Sequence, residues 1–359
     1  MSTSTRVAFI TGAAGQDGSF LAELLIGKGY TVYGMVRRSS NMTNLDRLTA
    51  LRHNHRFHIH YGDVTDIASI MRILTLAKKD YFNTLLNVKE KGYLEVYNLA
   101  AQSHVKVSFE VPQYTANTDA IGTLNVLEAV VQLELTPHVR LYQASTSELF
   151  GSTAPPQNEE SLMCPQSPYA VAKLFAHWAV KNYRDAYNMY AVSGILFNHE
   201  SERRAANFVT RKITKFAAAL HRGQKSVLEI GNLHALRDWG YAKDYVEAMW
   251  AMLQQDSATD FVIATGEQHT VKECIEAALE VVGIPRIEWR GTGLSETGHN
   301  AETGDLLVEV NAKYFRPTEV DSLQGDCRKA TDVLKWKHTT GFKELVKIMV
   351  LHDIQELGI

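Results

Sequence analysis

The sequence predicts an α/β fold, a doubly wound parallel sheet with a smaller mixed α/β lobe. Three observations carry this expectation. Short β-branched apolar runs alternate with amphipathic stretches through the first half of the chain. The first such run, VAFIT (Val7–Thr11), opens into a glycine-rich turn and then a helical pattern. Finally, 359 residues with 45% hydrophobic and 21% charged content suit one large domain or two intertwined ones.

The elements follow in order. VAFIT is an apolar run of the kind a buried parallel strand needs. FLAELLIGKGY has helical periodicity and ends at Gly29, and TVYGMV makes the second strand of a βαβ unit. HIHYGDV reads as strand three, SIMRILTLA as a helix and LEVYNLA as strand four. GTLNVLEAVVQL is a helix, RLYQAST strand five, SPYAVAKLFAHWAVKNYRDAY a long amphipathic helix and AVSGILFN strand six. The pattern is then less regular, although DFVIAT (260–265) suits a return to the main sheet. The expected organisation is a Rossmann domain over 1–199, with 237–268 returning to it, and a substrate-binding lobe from 200–236 and 269–359.

Bulk properties narrow the function classes. The 37 basic and 40 acidic residues give a net charge of −3, which makes no electrostatic case for nucleic acid or an anionic membrane. Apolar runs are too short for a transmembrane helix, and the first residues lack the apolar core of a secretion signal. Cys164, Cys274 and Cys327 lie far apart without metal-ligand spacing, so reduced thiols and a cytoplasmic setting are expected. The sequon Asn41-Met42-Thr43 carries no weight in that setting. His53, His55, His58 and His60 resemble a metal site, but His58 and His60 alternate with apolar residues as on a strand and no acid or cysteine completes the set. No metal is expected.

The chemistry begins at TGAAGQDGS. Gly12, Gly15 and Gly18 follow a strand and open a helix, the context in which backbone approaches a pyrophosphate and a helix N-terminus faces it. Gln16 and Asp17 lie in the same turn. Strand two ends GMVRRSS, so Arg37, Arg38 and Ser39 stand where an acid would select a free ribose hydroxyl. Guanidinium and hydroxyl groups suit a 2′-phosphate, which predicts NADP over NAD. Asp63, after strand three and beside Val64, is placed either to meet the adenine or to cap a helix.

SPYAVAK supplies the partner chemistry. Ser167 caps a helix with Pro168 at its first position, so Tyr169 and Lys173 share one face, about 6 Å apart along the axis. An ammonium beside a phenol lowers its pKa, and such a tyrosine takes a proton from an alcohol as hydride leaves its carbon.

These strings, with NLAAQSHV (98–105), ASTSELFG (144–151) and LFNHES (196–201), resemble the extended short-chain dehydrogenase/reductase superfamily acting on nucleotide sugars. RDWGYAKDYVEAMW (237–250) and YFRPTEV (314–320) are more restrictive, and together the match resembles the GDP-mannose 4,6-dehydratase family over nearly the whole chain. The resemblance implies Thr146 as the residue orienting the sugar 4-hydroxyl, Tyr169 as acid/base with Lys173, and Glu148 as the base that takes the C5 proton before water leaves C6. GDP-mannose would become GDP-4-keto-6-deoxymannose with the cofactor regenerated.

The resemblance also implies that Leu99, Ala100, Ala101, Ser103, Asn198, His199 and Arg204 meet the cofactor, with His199 equally suited to the core. It gives Gln102, Ser103, Asn207, Lys212, Arg237, Arg316 and Glu319 to the substrate, the two arginines to its diphosphate. A homo-dimer or homo-tetramer is the family's usual state.

Some features depart from the pattern. Ser147 stands where related dTDP-glucose dehydratases carry Asp, which leaves the acid for the C6 hydroxyl open between Glu148 and a water. Residues 78–98 are longer than the usual link into strand four, and Glu202 and Ala205 replace a usual proline and glycine. The alternatives are a nucleotide-sugar 4-epimerase or 4-reductase of the same superfamily, and the dehydratase site also has the parts for a secondary NADPH-dependent 4-keto reduction. A non-catalytic NADP sensor would carry a damaged triad, which this chain does not.

Overall fold

The computed structural model describes residues 6–38, 43–87 and 92–358. Ser39 and the sequon's first two residues lie outside them.

Six strands come from the chain up to Leu196: β1 (Val7–Thr11), β2 (Thr31–Val36), β3 (Phe57–Tyr61), β4 (Leu94–Asn98), β5 (Val139–Ala144) and β6 (Tyr190–Leu196). The helices between them are α1 (Gln16–Gly27), α2 (Ile67–Asn87), α3 (Val105–Glu110), α4 (Pro112–Ala116), α5 (Gly122–Gln132) and α6 (Pro168–Tyr187). A π-helical turn, Asn117–Ile121, joins α4 to α5. Within 78–98, residues 78–87 continue α2, 94–98 form β4, and 88–91 lie outside the described residues. Ile70, Ile73, Leu74, Ala77 and Tyr81 hold one buried stripe, so α2 runs on through the charged stretch.

Downstream come β7 (Asn198–Glu200), α7 (Val209–His221), β8 (Leu228–Ile230), β9 (Leu236–Arg237), β10 (Trp239–Tyr241), α8 (Ala242–Met252) and β11 (Phe261–Ile263). They are followed by β12 (His269–Thr270), α9 (Val271–Val281), β13 (Ile287–Arg290), β14 (Thr297–Asn300), β15 (Leu306–Val310) and α10 (Phe342–Glu356).

The main sheet has the order β3-β2-β1-β4-β5-β6-β11, with every pairing parallel. Side chains alternate across it. Ala8, Ile10 and Val32 join a core with α1 and α8, while Val7, Phe9 and Tyr33 join one with α2, α5 and α6. Ala330 and Trp336 from the late chain also enter the first core. A separate core gathers α7, α9 and α10 around the four-stranded sheet β13-β14-β15-β8.

The order reverses between β1 and β4, and a crevice opens there at the carboxyl ends of the strands. Thr11 Oγ1 ties the two ends together. It donates to Asn98 Oδ1 at 2.6 Å and accepts from the N–H of Leu99 at 3.0 Å and Ala100 at 3.1 Å.

Candidate active site

Around that crevice lies a cavity of about 870 Å³. Its floor is the first turn. Gly12 has φ +69°, and a Cβ there would meet the Ala100 nitrogen at 2.9 Å. A Cβ on Gly18 would come within 2.3 Å of the Gly12 carbonyl oxygen, so helix and turn meet through hydrogen alone. Gly15 caps α1 and donates its N–H back to Gly12 O at 2.9 Å.

Gln16 and Asp17 are engaged with the chain. Gln16 Nε2 donates to His199 O at 3.0 Å, and Asp17 Oδ2 lies 2.8 Å from His199 Nε2. Burial works against charge on both members. Their mutual attraction nonetheless holds the Asp17 carboxyl below and the His199 imidazole above its ordinary pKa. Both line the cavity, as do Asp63, Val64, Leu99, Ala100, Ala101, Gln102 and Ser103. Asp63 Oδ1 accepts from Thr65 N at 3.0 Å and Oγ1 at 2.8 Å, a turn ahead of α2, while Asp66 takes the capping place by accepting from Ala68 N at 3.1 Å. Arg37 lines the cavity and bonds the Tyr114 hydroxyl; Arg38 lies over the Tyr61 ring, 5.4 Å from its centroid.

The chain after β5 and the start of α6 form the next wall. Ser167 Oγ accepts from Ala170 N at 3.1 Å with Pro168 in the first turn, as the sequence predicts. Tyr169 and Lys173 are buried and face the cavity. The Lys173 ammonium is 5.9 Å from the Tyr169 ring centroid and donates to Ala144 O at 3.2 Å. The Thr146 side chain acts on the Tyr169 hydroxyl in favour of its ionised form. Thr146 Oγ1 also accepts from Glu148 N at 3.2 Å, capping the short 3₁₀ turn Ser147–Leu149. One small turn thus presents the hydroxyl and the carboxylate together.

The expected lowering of the Tyr169 phenol is not met. Burial, reinforced by the charges of Asp119 and Glu148, holds it above its ordinary range against the opposing effect of the Thr146 side chain. Burial likewise lowers Lys173, against the attraction of Asp119 and Asp17.

The opposite wall comes from the later chain. Asn198 and Arg204 line the cavity, with Arg204 Nε 3.1 Å from Glu200 Oε2. Asn207 O lies 3.3 Å from His104 Nε2, and the Lys212 ammonium sits 3.7 Å from the Tyr314 ring centroid. Arg237 is buried and donates to Leu236 O at 2.9 Å, and burial lowers its pKa. Arg316 Nη1 reaches to 3.6 Å from Glu148 Oε1, while its N–H donates to Glu319 Oε1 at 2.7 Å.

Sequence reasoning missed Asp119. It lies in the π turn, 1% exposed, and accepts from Gln102 N at 2.7 Å through Oδ1. Burial pushes it up to about 6, against the Lys173 charge. The signal available was an acid inside the apolar stretch NTDAIGTLNVL. His58 and His60, by contrast, stack on Tyr33 at 5.0 and 5.7 Å.

A doubly wound sheet with a glycine cradle, a Thr-Tyr-Lys set and a basic far wall defines a nucleotide-sugar enzyme of the short-chain dehydrogenase/reductase type. Solved structures share the fold. A Thermotoga maritima UDP-glucose 4-epimerase aligns with TM-score 0.77 at 22% identity, covering 98% of this chain and 99% of that one. A Bacillus anthracis dTDP-glucose 4,6-dehydratase aligns with TM-score 0.77 at 17% identity, covering 99% and 98%.

A family model described as GDP-mannose 4,6 dehydratase matches residues 9–349. Proteins of that name from Drosophila melanogaster and Homo sapiens are 51% and 50% identical, covering 98% and 99% of this chain and 86% and 93% of theirs. One from Sinorhizobium fredii is 51% identical, covering 99% of this chain and 98% of its own. The chain belongs to the GDP-mannose 4,6-dehydratase family.

Proposed function

We infer that this chain acts as a lyase on GDP-mannose, removing one water to give GDP-4-keto-6-deoxymannose. The observation that carries the reading is Glu148. Alcohol oxidation needs only the hydroxyl, tyrosine and lysine, yet a buried carboxylate shares their cavity and sits on the turn that Thr146 caps. Family membership supports the same activity.

The cavity fits a nicotinamide dinucleotide. Gly12 and Gly18 keep open a cradle that a Cβ would fill. Four buried oxygens of cavity-lining residues, Gln102 Oε1, Thr118 Oγ1, Ser145 Oγ and Asn198 Oδ1, have no hydrogen-bond partner among the described residues. The Gly12–Gly18 turn with Gln16 and Asp17 would hold its phosphates, Asp63 and Val64 its adenine, and Leu99–Ala101, Ser103, Tyr169, Lys173, Asn198, His199 and Arg204 the remainder. Arg37, Arg38 and Ser39, with no acid at that point, favour NADP.

When bound, the dinucleotide supplies hydride chemistry, taking the sugar's C4 hydrogen and returning it at C6, and in its oxidised form brings a positive charge. Ionised Tyr169 takes the 4-hydroxyl proton, with Thr146 orienting that group and the Lys173 ammonium, joined by the oxidised dinucleotide's charge, favouring the phenolate. The C4 ketone acidifies the C5 hydrogen, and Glu148 removes it as water leaves C6. Gln102 and Ser103 line the sugar, Arg237 and Arg316 take the diphosphate, and Asn207, Lys212 and Glu319 complete the nucleotide end.

The division into a 1–199 domain with 237–268, and a substrate lobe from 200–236 and 269–359, is part of this reading. So are a homo-dimer or homo-tetramer and a cytoplasmic setting. Support for the setting comes from the free cysteines, and among the described residues no helix is long and apolar enough to cross a membrane.

The test is to give purified protein GDP-mannose without added cofactor and follow products by mass. Loss of one water is expected, with NADP released on denaturation. An unchanged mass with an inverted sugar centre would replace the reading with epimerisation.

A further inference from the structure

Glu148 is held by a group the mechanism uses for something else. Its carboxylate, 8% exposed, faces Arg316 Nη1 at 3.6 Å, and the buried Arg237 guanidinium feels the same carboxylate. Those two arginines are the diphosphate candidates. One end of the pair is the more enclosed: the Glu148 side chain is 8% exposed, on a 3₁₀ turn whose backbone is tied to Thr146. The other end is freer. The Arg316 side chain is 26% exposed, and its backbone N–H is tied to Glu319. If either partner moves, it is the guanidinium.

We propose that the Arg316–Glu148 ion pair is a substrate-released latch: the diphosphate of the incoming sugar nucleotide draws Arg316 away and so frees Glu148 to act as base.

The chemistry favours the exchange. A diphosphate offers a guanidinium more charge and several bidentate oxygens, whereas the carboxylate contact at 3.6 Å is a loose ion pair. Arg237 holds its place through Leu236 O and is ready to share the diphosphate. A base that stays paired until the diphosphate arrives spends remote binding energy on the reacting centre. Substrates lacking the diphosphate would then lose turnover as well as affinity.

The latch rests on the functional reading above, and GDP alone separates the two. GDP carries the diphosphate and lacks the sugar, so Glu148 has no direct contact to make with it. In holoenzyme calorimetry, GDP must first bind the wild type; no binding overturns the functional reading itself. If the latch exists, Glu148 competes with GDP for Arg316, and Glu148→Gln binds GDP roughly fivefold more tightly than wild type, the scale of a partly exposed ion pair. Removing a negative charge tightens an anion non-specifically, so the decisive term is the double-mutant cycle. In an Arg316→Met background the gain from Glu148→Gln should vanish. No gain in Glu148→Gln, or an equal gain with Arg316 absent, overturns the latch while leaving the dehydratase reading intact. Equilibrium dialysis at high GDP extends the cycle to the weakest variant.

Discussion

Tyr169 and Glu148 face one cavity with Thr146, whose hydroxyl accepts the Glu148 N–H and whose side chain favours the ionised Tyr169. The two residues serve different proton transfers, so their variants should fail at different stages. Tyr169→Phe should lose C4 oxidation by about 10²- to 10⁴-fold, the usual scale for a positioned acid/base. Glu148→Gln should still oxidise C4 in a single turnover, seen as reduced-nicotinamide absorbance, yet release no water. Full turnover in Glu148→Gln would remove its role as base. Asp119 extends the argument to charge. Its carboxylate favours the Lys173 ammonium, which burial disfavours. Asp119→Asn therefore lowers the Lys173 pKa further, and activity that needs the ammonium should fall away at lower pH than in wild type. A superimposable basic limb in the two pH profiles would separate Asp119 from the catalytic set.

At the scale of elements, a buried polar knot fastens the sheet to α8. Glu95 of β4 accepts from the hydroxyls of Tyr30 at 2.8 Å and Tyr97 at 2.7 Å and from Gln254 Nε2 at 3.0 Å, while Trp250 Nε1 donates to Tyr30 at 3.0 Å. Burial raises the Glu95 pKa, and the three donors only partly offset it. The folded state thus holds this proton better than the unfolded chain. The stability it contributes is complete below the ordinary value of 4.5 and is lost as pH rises through the folded value. Gln cannot lose that proton. The melting difference between Glu95→Gln and wild type should shift in the variant's favour from about pH 5 to about pH 8. A pH-independent difference would break the linkage. The knot also marks where sequence reading ends. The β1–turn–α1 unit was legible because glycine spacing and periodicity are local signals. So was the Ser167-Pro168 cap that sets Tyr169 and Lys173 on one face. The short helices at 105–116 were not, because five or six residues carry too little periodicity. The charged residues after Ala77 left 78–98 open between a loop and a helix, and Tyr81, which continues the buried stripe, decides for helix as far as Asn87. Glu95 with Gln254, Asp119 with Gln102 and Glu148 with Arg316 are pairs that only the folded chain assembles. The rise in the Tyr169 pKa went unseen for a related reason, since burial is a property of the whole site.

At the scale of the molecule, α6 has two faces with different duties. Tyr169, Lys173, His177 and Val180 are buried toward the sheet and cavity. Val171, Phe175 and Trp178, spaced as one helical stripe, are 55%, 46% and 51% exposed, and Ile121 in the neighbouring π turn is 43% exposed. Large apolar side chains in contiguous exposure mark a contact surface. A second copy offering the same stripe would cover it about a two-fold axis, because an isologous contact needs only self-complementarity. The stripe is rooted in the helix that carries the catalytic pair, so loss of the contact should be felt in the site as well as in the mass. Trp178→Glu places a charge in the middle of the stripe without touching the cavity. It should halve the mass seen by light scattering and lower kcat, with the far-ultraviolet spectrum preserved. Wild-type mass in that variant would move the subunit contact elsewhere on the surface. A half-mass species with full kcat would keep the interface but cut its link to Tyr169 and Lys173, leaving each subunit catalytically self-sufficient.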